Sequence, residues 1–313
     1  MSRVLVTGGT GFLGRYMTNF LRAQGHEVTS TFFHEPPRRL PPTQSQDEVV
    51  FLDVKDGPAV LAMIRERKPD VVYHFAGQAY VIPSWEDPAG TFDVNLRGTL
   101  HLLEAIRRTN PRCAVAFAGS GTEYGEPSRI PTPEDSPLLP TSPYASSKAA
   151  ADLLCYQYFR SSEIPVFRYR IFGTTGLGKR GDVCNDFASQ IATLERGGAN
   201  GQLRVGDLDK KRDIQDVRDA VRAMVTVVER GEPGEAYNIG CGEARDVRRI
   251  LETLRSFSQQ PFTVVEEVSR KRKVDEPVHL GDIEKLRKLG WAPSISFEDT
   301  LRDILNDWRS RAS

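Results

Sequence analysis

Three polar residues near the middle of the chain have types and spacing suited to proton transfer. Tyr144 and Lys148 are four positions apart, so a helix would place both side chains on one face. A phenol titrates near pH ~10, and a neighbouring ammonium group favours its ionised form. Ser120 lies upstream, where its hydroxyl could polarise a carbonyl or an alcohol. Each signal is common by itself, but the three together predict oxidation or reduction of an alcohol or ketone.

A glycine-rich turn early in the chain could bind the dinucleotide that this chemistry requires. Its Gly-x-x-Gly-x-x-Gly spacing follows the strand-like run Val4–Val6 and precedes a helical pattern. Glycines let the backbone approach a pyrophosphate, and a helix N-terminus supplies free N–H groups. The alternative, a plain tight turn, is disfavoured by these flanking elements. The predicted cofactor residues of the turn are Gly8, Gly11, Phe12, Leu13 and Gly14. Tyr144 and Lys148 are also predicted to bind the cofactor, since the lysine carries donors for the nicotinamide ribose.

The second predicted strand, Val28–Thr31, lacks the carboxylate that often binds the ribose 2′-hydroxyl of a dinucleotide. Without that carboxylate a 2′-phosphate is not repelled, and Arg38 or Arg39 could neutralise it. Both arginines could equally belong to a solvated loop. NADP(H) is therefore favoured as the cofactor, and NAD(H) stays open.

Further candidates lie where the following strands end. Asp53 and Val54 come after the third strand and could contact the adenine, while Phe75 and Ala76 come after the fourth and could line the cofactor. Asn95, on the next predicted helix, could hydrogen-bond near the reacting group. Such residues are more often caps or core positions, but the ends of parallel strands are where ligands bind in sheets of this kind.

Apolar strand-like runs alternate with helical patterns through the first half of the chain. This alternation predicts an α/β fold with a doubly wound parallel Rossmann sheet and a smaller C-terminal α/β substrate domain. We place the cofactor-binding domain at residues 1–172 and the mainly substrate-binding domain at 173–313, with one strand returning to the sheet near 236–240. The predicted strands are Val4–Val6, Val28–Thr31, Val49–Leu52, Val71–Phe75, Ala114–Phe117, Val166–Ile171 and Ala236–Ile239.

Composition limits the classes of partner. Lys and Arg number 42 and so do Asp and Glu, so overall charge gives no reason to expect nucleic acid or a membrane surface. The four cysteines are scattered without a Cys-x-x-Cys pair, which predicts no metal site and no disulfide framework. With no signal-like or membrane-spanning run, a cytoplasmic location is expected.

The motifs together resemble the extended short-chain dehydrogenase/reductase family, in its branch of nucleotide-sugar epimerases, dehydratases and reductases. The resemblance implies that Ser120, Tyr144 and Lys148 are catalytic, that the substrate is a nucleotide sugar, and that the protein forms a homodimer through helices around Leu100 and Leu153. The residues that carry it are Gly8–Gly14, Ser120, Thr122–Gly125, Pro143–Lys148 and Lys211–Asp213.

Within that family the chain looks closest to the group of GDP-mannose 4,6-dehydratase and GDP-4-keto-6-deoxymannose reductase. The dehydratases commonly carry an acid or hydroxyl and then a glutamate base after the catalytic Ser or Thr, where this chain has Gly121 and Thr122. Glu123 is displaced by one residue, so on an extended segment it should point to the other side. This departure counts against dehydration, although Thr122 stays a candidate catalytic and substrate-binding residue.

The predicted activity is oxidoreduction at C4 of a nucleotide-linked hexose, with reduction of a 4-keto group such as that of GDP-4-keto-6-deoxymannose favoured. The alternatives are a 4-epimerase with retained NAD, then a 4,6-dehydratase or a non-catalytic cofactor sensor. Family positions suggest that Arg212 and Arg272 hold phosphates, although most of their charged neighbours are expected to be solvated. Gly173 stands where the family usually has an asparagine that contacts the substrate diphosphate. The predicted substrate-binding residues are Gln78, Asn95, Thr122, Arg180, Val183, Arg212 and Arg272.

Overall fold

The computed structural model describes residues 1–33, 49–197, 201–270 and 276–311. Within these residues the strands are β1 (Arg3–Thr7), β2 (Glu27–Phe32), β3 (Val49–Phe51), β4 (Val71–His74), β5 (Ala114–Ser120), β6 (Val166–Ile171), β7 (Gly173–Thr175), β8 (Gly201–Val205), β9 (Lys211–Asp216), β10 (Ala236–Ile239), β11 (Ala244–Asp246), β12 (Phe262–Glu266) and β13 (Val278–His279).

The α-helices of the described residues are α1 (Phe12–Ala23), α2 (Gly57–Arg67), α3 (Val81–Glu86), α4 (Pro88–Phe92), α5 (Gly98–Thr109), α6 (Pro143–Ser162), α7 (Val183–Gly197), α8 (Val217–Arg230), α9 (Val247–Phe257), α10 (Glu284–Arg287) and α11 (Phe297–Ser310). Short 3₁₀ segments cover Gly121–Tyr124 and Val268–Arg270. None of the described helices is both long and apolar enough to cross a membrane.

Seven strands of the described chain form one parallel sheet in the order β10-β6-β5-β4-β1-β2-β3. The predicted doubly wound α/β fold is thereby confirmed. β10 joins the sheet beside β6 although it comes from the C-terminal half of the chain. The division of the chain at residue 172 stays a prediction.

Alternation along the strands fills a hydrophobic core on each face of the sheet. On β1, Val4 and Val6 pack with Met17 of α1 and Met224 of α8, whereas Leu5 packs on the opposite face with α2 and α5. Successive strand residues point to opposite faces, so a strand covered on both sides reads as a continuous apolar run. The run Val4–Val6 therefore predicted a central strand from its sequence.

The C-terminal half adds a smaller set of strands. β9 pairs with β7 and β13 in parallel and with β11 in antiparallel fashion, and β8 pairs with β12. Helices α7, α9 and α11 share a third buried core with β8. A side chain at Gly173 in β7 would lie 2.4 Å from the carbonyl oxygen of Asp213 in β9, so this close strand contact explains why no asparagine stands there.

The sequence has a helical pattern over Thr91–Arg108, but the helix of the structure is interrupted there. Between α4 and α5 the residues Asp93–Arg97 form a π-helical turn. Such turns insert an extra residue into a helix and often occur at functional sites. Asn95 lies in this turn and its side chain bonds to neighbouring elements, a tertiary feature that helical periodicity does not reveal.

Candidate active site

The predicted catalytic residues converge where β5 ends and α6 begins. Ser120 is the last residue of β5, and α6 begins at Pro143, capped by the Ser142 hydroxyl, which accepts the Ala145 N–H at 3.2 Å. Proline in the first turn and serine at the cap are both preferred helix starts. Tyr144 and Lys148 therefore lie one helical turn apart and face the end of β5.

The phenol of Tyr144 is protonated at neutral pH. Burial raises the pKa of its phenol to about 12, although a hydrogen bond with the Ser120 side chain opposes that rise. Burial disfavours a charged phenolate because water no longer solvates it. Tyr144 can therefore give a proton to an oxygen atom held beside Ser120.

Lys148 lies behind the phenol with its ammonium group buried. Its Nζ donates to the carbonyl oxygen of Ala118 at 2.8 Å and lies 5.3 Å from the centre of the Phe117 ring. Burial lowers the pKa of Lys148 to about 8, partly offset by the Glu123 carboxyl group. The side chain thus carries a positive charge at neutral pH and is held at the end of β5.

The turn after Ser120 does not present a carboxylate base to this site. Glu123 is fully buried, and its Oε1 accepts the backbone N–H of Ser120 at 2.6 Å. Burial raises the pKa of Glu123 well above its ordinary value, which favours the neutral acid. Thr122 points the other way, with its hydroxyl 2.9 Å from that of Ser120. The geometry therefore agrees with the argument against dehydration.

Asn95 ties the loop after β4 to the catalytic helix. Its Oδ1 accepts the Gln78 N–H at 2.8 Å, and its Nδ2 donates to the Gln78 carbonyl at 3.0 Å and to the Ser147 hydroxyl at 2.9 Å. Ser147 in turn donates to the carbonyl oxygen of Tyr144 at 2.7 Å. The Asn95 amide is buried, and its hydrogen bonds go to other protein groups. Asn95 therefore holds the loop after β4 against α6, and the geometry does not support the predicted contact of its side chain with a substrate.

The glycine turn has the shape of a dinucleotide cradle. Gly8 has φ +66°, and a Cβ there would lie 2.8 Å from the backbone nitrogen of Ala76. A Cβ on Gly14 would lie 2.2 Å from the carbonyl oxygen of Gly8. Gly11 leaves the N-terminus of α1 without a side-chain cap, so its N–H groups are available to an anion. These residues fit a bound pyrophosphate.

The neighbouring strand ends complete the cofactor side of the site. Thr31 at the end of β2 accepts the Gly8 N–H at 3.2 Å. Asp53 follows β3, where its carboxylate accepts the Lys55 N–H at 2.9 Å, and Val54 packs against α5. Phe75 is partly buried against the core. Arg38 lies outside the described residues.

The predicted substrate residues are only partly assembled. Gln78 donates to the carbonyl oxygen of Tyr80 at 2.8 Å and so shapes the loop after β4. Arg180 is exposed, Val183 begins α7, and Arg212 donates to the carbonyl oxygen of Glu276 at 2.9 Å. Arg272 lies outside the described residues.

Two residues near the site were missed from sequence. The Nζ of Lys179 lies 4.7 Å from the centre of the Phe12 ring, at the start of α1, and burial lowers the pKa of this lysine. The adjacent turn is fixed by Tyr16, which donates to the carbonyl oxygen of Leu177 at 3.1 Å. His279 reaches the turn after Ser120. The glycines from Gly176 onwards could have indicated a ligand-binding loop around Lys179. The sequence around His279 contains no motif that would indicate its position near the site.

Comparisons with known proteins agree with this geometry. Residues 5–304 match the family described as GDP-mannose 4,6 dehydratase. The chain is 33% identical to GDP-6-deoxy-D-mannose reductase of Pseudomonas aeruginosa, over 99% of this chain and 98% of the relative. A solved structure of RMD from Pseudomonas aeruginosa complexed with NADPH has a TM-score of 0.86 and 32% identity, covering 99% of this chain and 100% of that one. UDP-glucose 4-epimerase of Thermus thermophilus, solved with NAD, has a TM-score of 0.85 and 30% identity over 98% of this chain and 99% of that one.

Proposed function

Because the chain belongs to the GDP-mannose 4,6-dehydratase family, a group of NAD(P)-dependent nucleotide-sugar enzymes, we propose that it reduces the 4-keto group of a GDP-4-keto-6-deoxyhexose. The family predicted from the sequence motifs is confirmed by this match. The observation that carries the proposal is the convergence of Ser120 at the end of β5 with Tyr144 and Lys148 at the start of α6. The carboxyl group of Glu123, in the turn after Ser120, is buried and accepts the Ser120 N–H, so it is not presented to this site. The similarity to a reductase supports the direction of the reaction.

The geometry explains how these residues would act on a ketone. Ser120 and the Tyr144 phenol are the donors available to a carbonyl oxygen at the end of β5. Tyr144 gives its proton to that oxygen as the alcohol forms, and the Lys148 ammonium group stabilises the phenolate left behind. A nicotinamide cofactor, when bound, supplies the hydride to the carbonyl carbon. Asn95 and Ser147 keep α6 in register with the loop after β4.

The decisive experiment incubates the protein with GDP-4-keto-6-deoxymannose and NADPH. A reductase causes a lasting, stoichiometric loss of NADPH absorbance and forms a GDP-6-deoxyhexose. Interconversion of two nucleotide sugars without net cofactor change would reject reduction and support the second candidate, a 4-epimerase with retained NAD. The similarity to an epimerase solved with NAD is the observation that keeps this candidate in view.

We also propose that NADP(H) is preferred over NAD(H). The supporting observation is that β2 ends in Ser30, Thr31 and Phe32, so the described end of this strand carries no carboxylate that would repel a 2′-phosphate. Dissociation constants for NADPH and NADH, measured by calorimetry, test this preference. Tighter binding of NADH would overturn it.

A homodimer and a cytoplasmic location complete the proposal. Leu153 and Tyr156 on α6 are 58% and 40% exposed, as expected for apolar side chains that a second copy covers. Sedimentation of the protein and of Leu153→Asp would show a dimer that this substitution dissociates. A monomeric parent protein would reject the dimer, and recovery of the native protein from a non-cytoplasmic fraction would reject the location.

A further inference from the structure

The imidazole of His279 lies next to Gly121, the residue after Ser120, in the space that a side chain at position 121 would fill if residue 121 were not a glycine. A Cβ built on Gly121 would lie 2.9 Å from Nε2 of His279 and 3.1 Å from the Phe172 ring. A carboxylate or hydroxyl at position 121 would extend into this same space. The imidazole therefore places a basic nitrogen next to the turn that carries the Ser120 and Thr122 hydroxyls.

His279 is held in a fixed orientation by two contacts. Its Nδ1 lies 2.8 Å from Oε2 of Glu276, and its ring centre lies 4.5 Å from that of Phe172. β13 also pairs with β9, which places His279 opposite Arg212. A carboxylate on one imidazole nitrogen fixes the tautomer and leaves the other nitrogen as an acceptor.

The side chain of His279 is partly exposed. Within the described part of the chain, Nε2 of His279 makes no hydrogen bond, and 16% of its side chain is exposed. Glu276 is similarly exposed, at 18%. The arrangement of carboxylate, imidazole and free nitrogen is that of a general base positioned by an acidic partner.

We propose that Glu276 and His279 form an acid–base pair that exchanges a proton at a carbon adjacent to the 4-keto group, an activity additional to reduction. This inference rests on the proposed keto-sugar substrate. The hydrogen on such a carbon is acidified by the carbonyl group. Ser120 and Tyr144, which can donate to the carbonyl oxygen, would stabilise the enolate that forms.

The proposed step is balanced without any oxidant or reductant. Nε2 of His279 takes the proton as the C–H bond breaks, and the electron pair forms a C–C double bond while the carbonyl π electrons move to oxygen. Return of a proton from the imidazolium to the same carbon restores the ketone. Because the ring is partly exposed, its proton exchanges with solvent, so deuterium enters the sugar in D₂O.

The test uses the full-length protein with GDP-4-keto-6-deoxymannose in D₂O and without NADPH. Mass spectrometry and proton NMR measure deuterium at the two carbons flanking the ketone, with a protein-free sample as background. We expect exchange above background in the parent protein and a loss of about 100-fold in His279→Gln, the scale of general-base catalysis. Glu276→Gln should reduce exchange less, because its amide oxygen can still accept from Nδ1.

Two controls separate this chemistry from a folding defect. His26→Gln removes a histidine at the opposite end of the sheet and should leave exchange unchanged. The melting temperature and NADPH dissociation constant of His279→Gln report whether the cofactor side is intact. The inference would be overturned if the parent protein exchanged deuterium no faster than the protein-free sample. It would also be overturned if a folded His279→Gln variant exchanged deuterium at a rate within about twofold of the parent. Exchange without NADPH-dependent reduction would instead overturn the proposed function alone.

Discussion

Replacing Tyr144 with Phe should remove the proton donor and little else. The ring keeps its place on α6, the Ser120 hydroxyl remains as one donor to the substrate oxygen, and the Lys148 ammonium stays bonded to Ala118. A lost general acid costs about 10²- to 10⁴-fold in rate. Since Ser120 still supports part of the charge, we expect a loss of about 10³-fold in kcat, or ~4 kcal/mol in barrier.

Steady-state and single-turnover reduction of a 4-keto nucleotide sugar would measure this loss, with NADPH binding followed separately by calorimetry. The dissociation constant should change by less than about twofold, because the substitution removes one hydroxyl group and leaves the glycine turn and the start of α1 unchanged. Tyr156→Phe, a partly exposed tyrosine on the same helix, is the matched control and should keep normal turnover. If Tyr144→Phe retains more than about a tenth of the parent kcat, the phenol is not the proton donor.

Three further perturbations test the supporting structure. Gly14→Ala places a Cβ 2.2 Å from a backbone oxygen of the glycine turn, so NADPH binding measured by calorimetry should be at least about tenfold weaker. Gly197→Ala is the control, because a Cβ there would lie in open space and should not alter NADPH binding. Asp152→Asn removes a buried carboxylate that bonds to two arginines, so the free energy of unfolding should fall by ~3–5 kcal/mol and the melting temperature by roughly 10 °C. Asp303→Asn is the control, because this carboxylate is exposed and its loss should have little effect on stability. Reduction should decline above about pH 8 in a pH–rate profile, because the Lys148 ammonium loses its proton there long before the phenol does, and a flat profile to pH ~10 would contradict this assignment.

The fold and cofactor turn were predictable because their causes are local. The run Val4–Val6 is apolar on both faces of a strand. At Gly8 and Gly14, which follow it, a Cβ would lie less than 3 Å from backbone atoms, so glycine is required there. Tyr144 and Lys148 could be paired because helical spacing puts them on one face. These signals need only a few neighbouring residues, so the sequence contains them in full.

The remaining parts of the site depend on contacts between distant segments. Nothing near Asn95 in sequence indicates that its amide bonds to Gln78 and Ser147 instead of a ligand. His279 comes from β13, which pairs with β9, and its imidazole lies next to Gly121, more than 150 positions away in sequence. Such contacts are set by tertiary packing, which periodicity and motif spacing do not encode.

The titration behaviour of Tyr144 and Lys148 suits the donation of a proton to a ketone. Burial raises the pKa of the Tyr144 phenol and lowers that of the Lys148 ammonium, so both groups hold their protons at neutral pH. An enzyme that meets a ketone needs a proton donor at once, whereas one that meets an alcohol must first deprotonate the phenol. A 4-epimerase begins with an alcohol and would therefore depend on the charge of an oxidised nicotinamide to lower the phenol pKa. Both groups therefore carry the protons that reduction of a ketone requires.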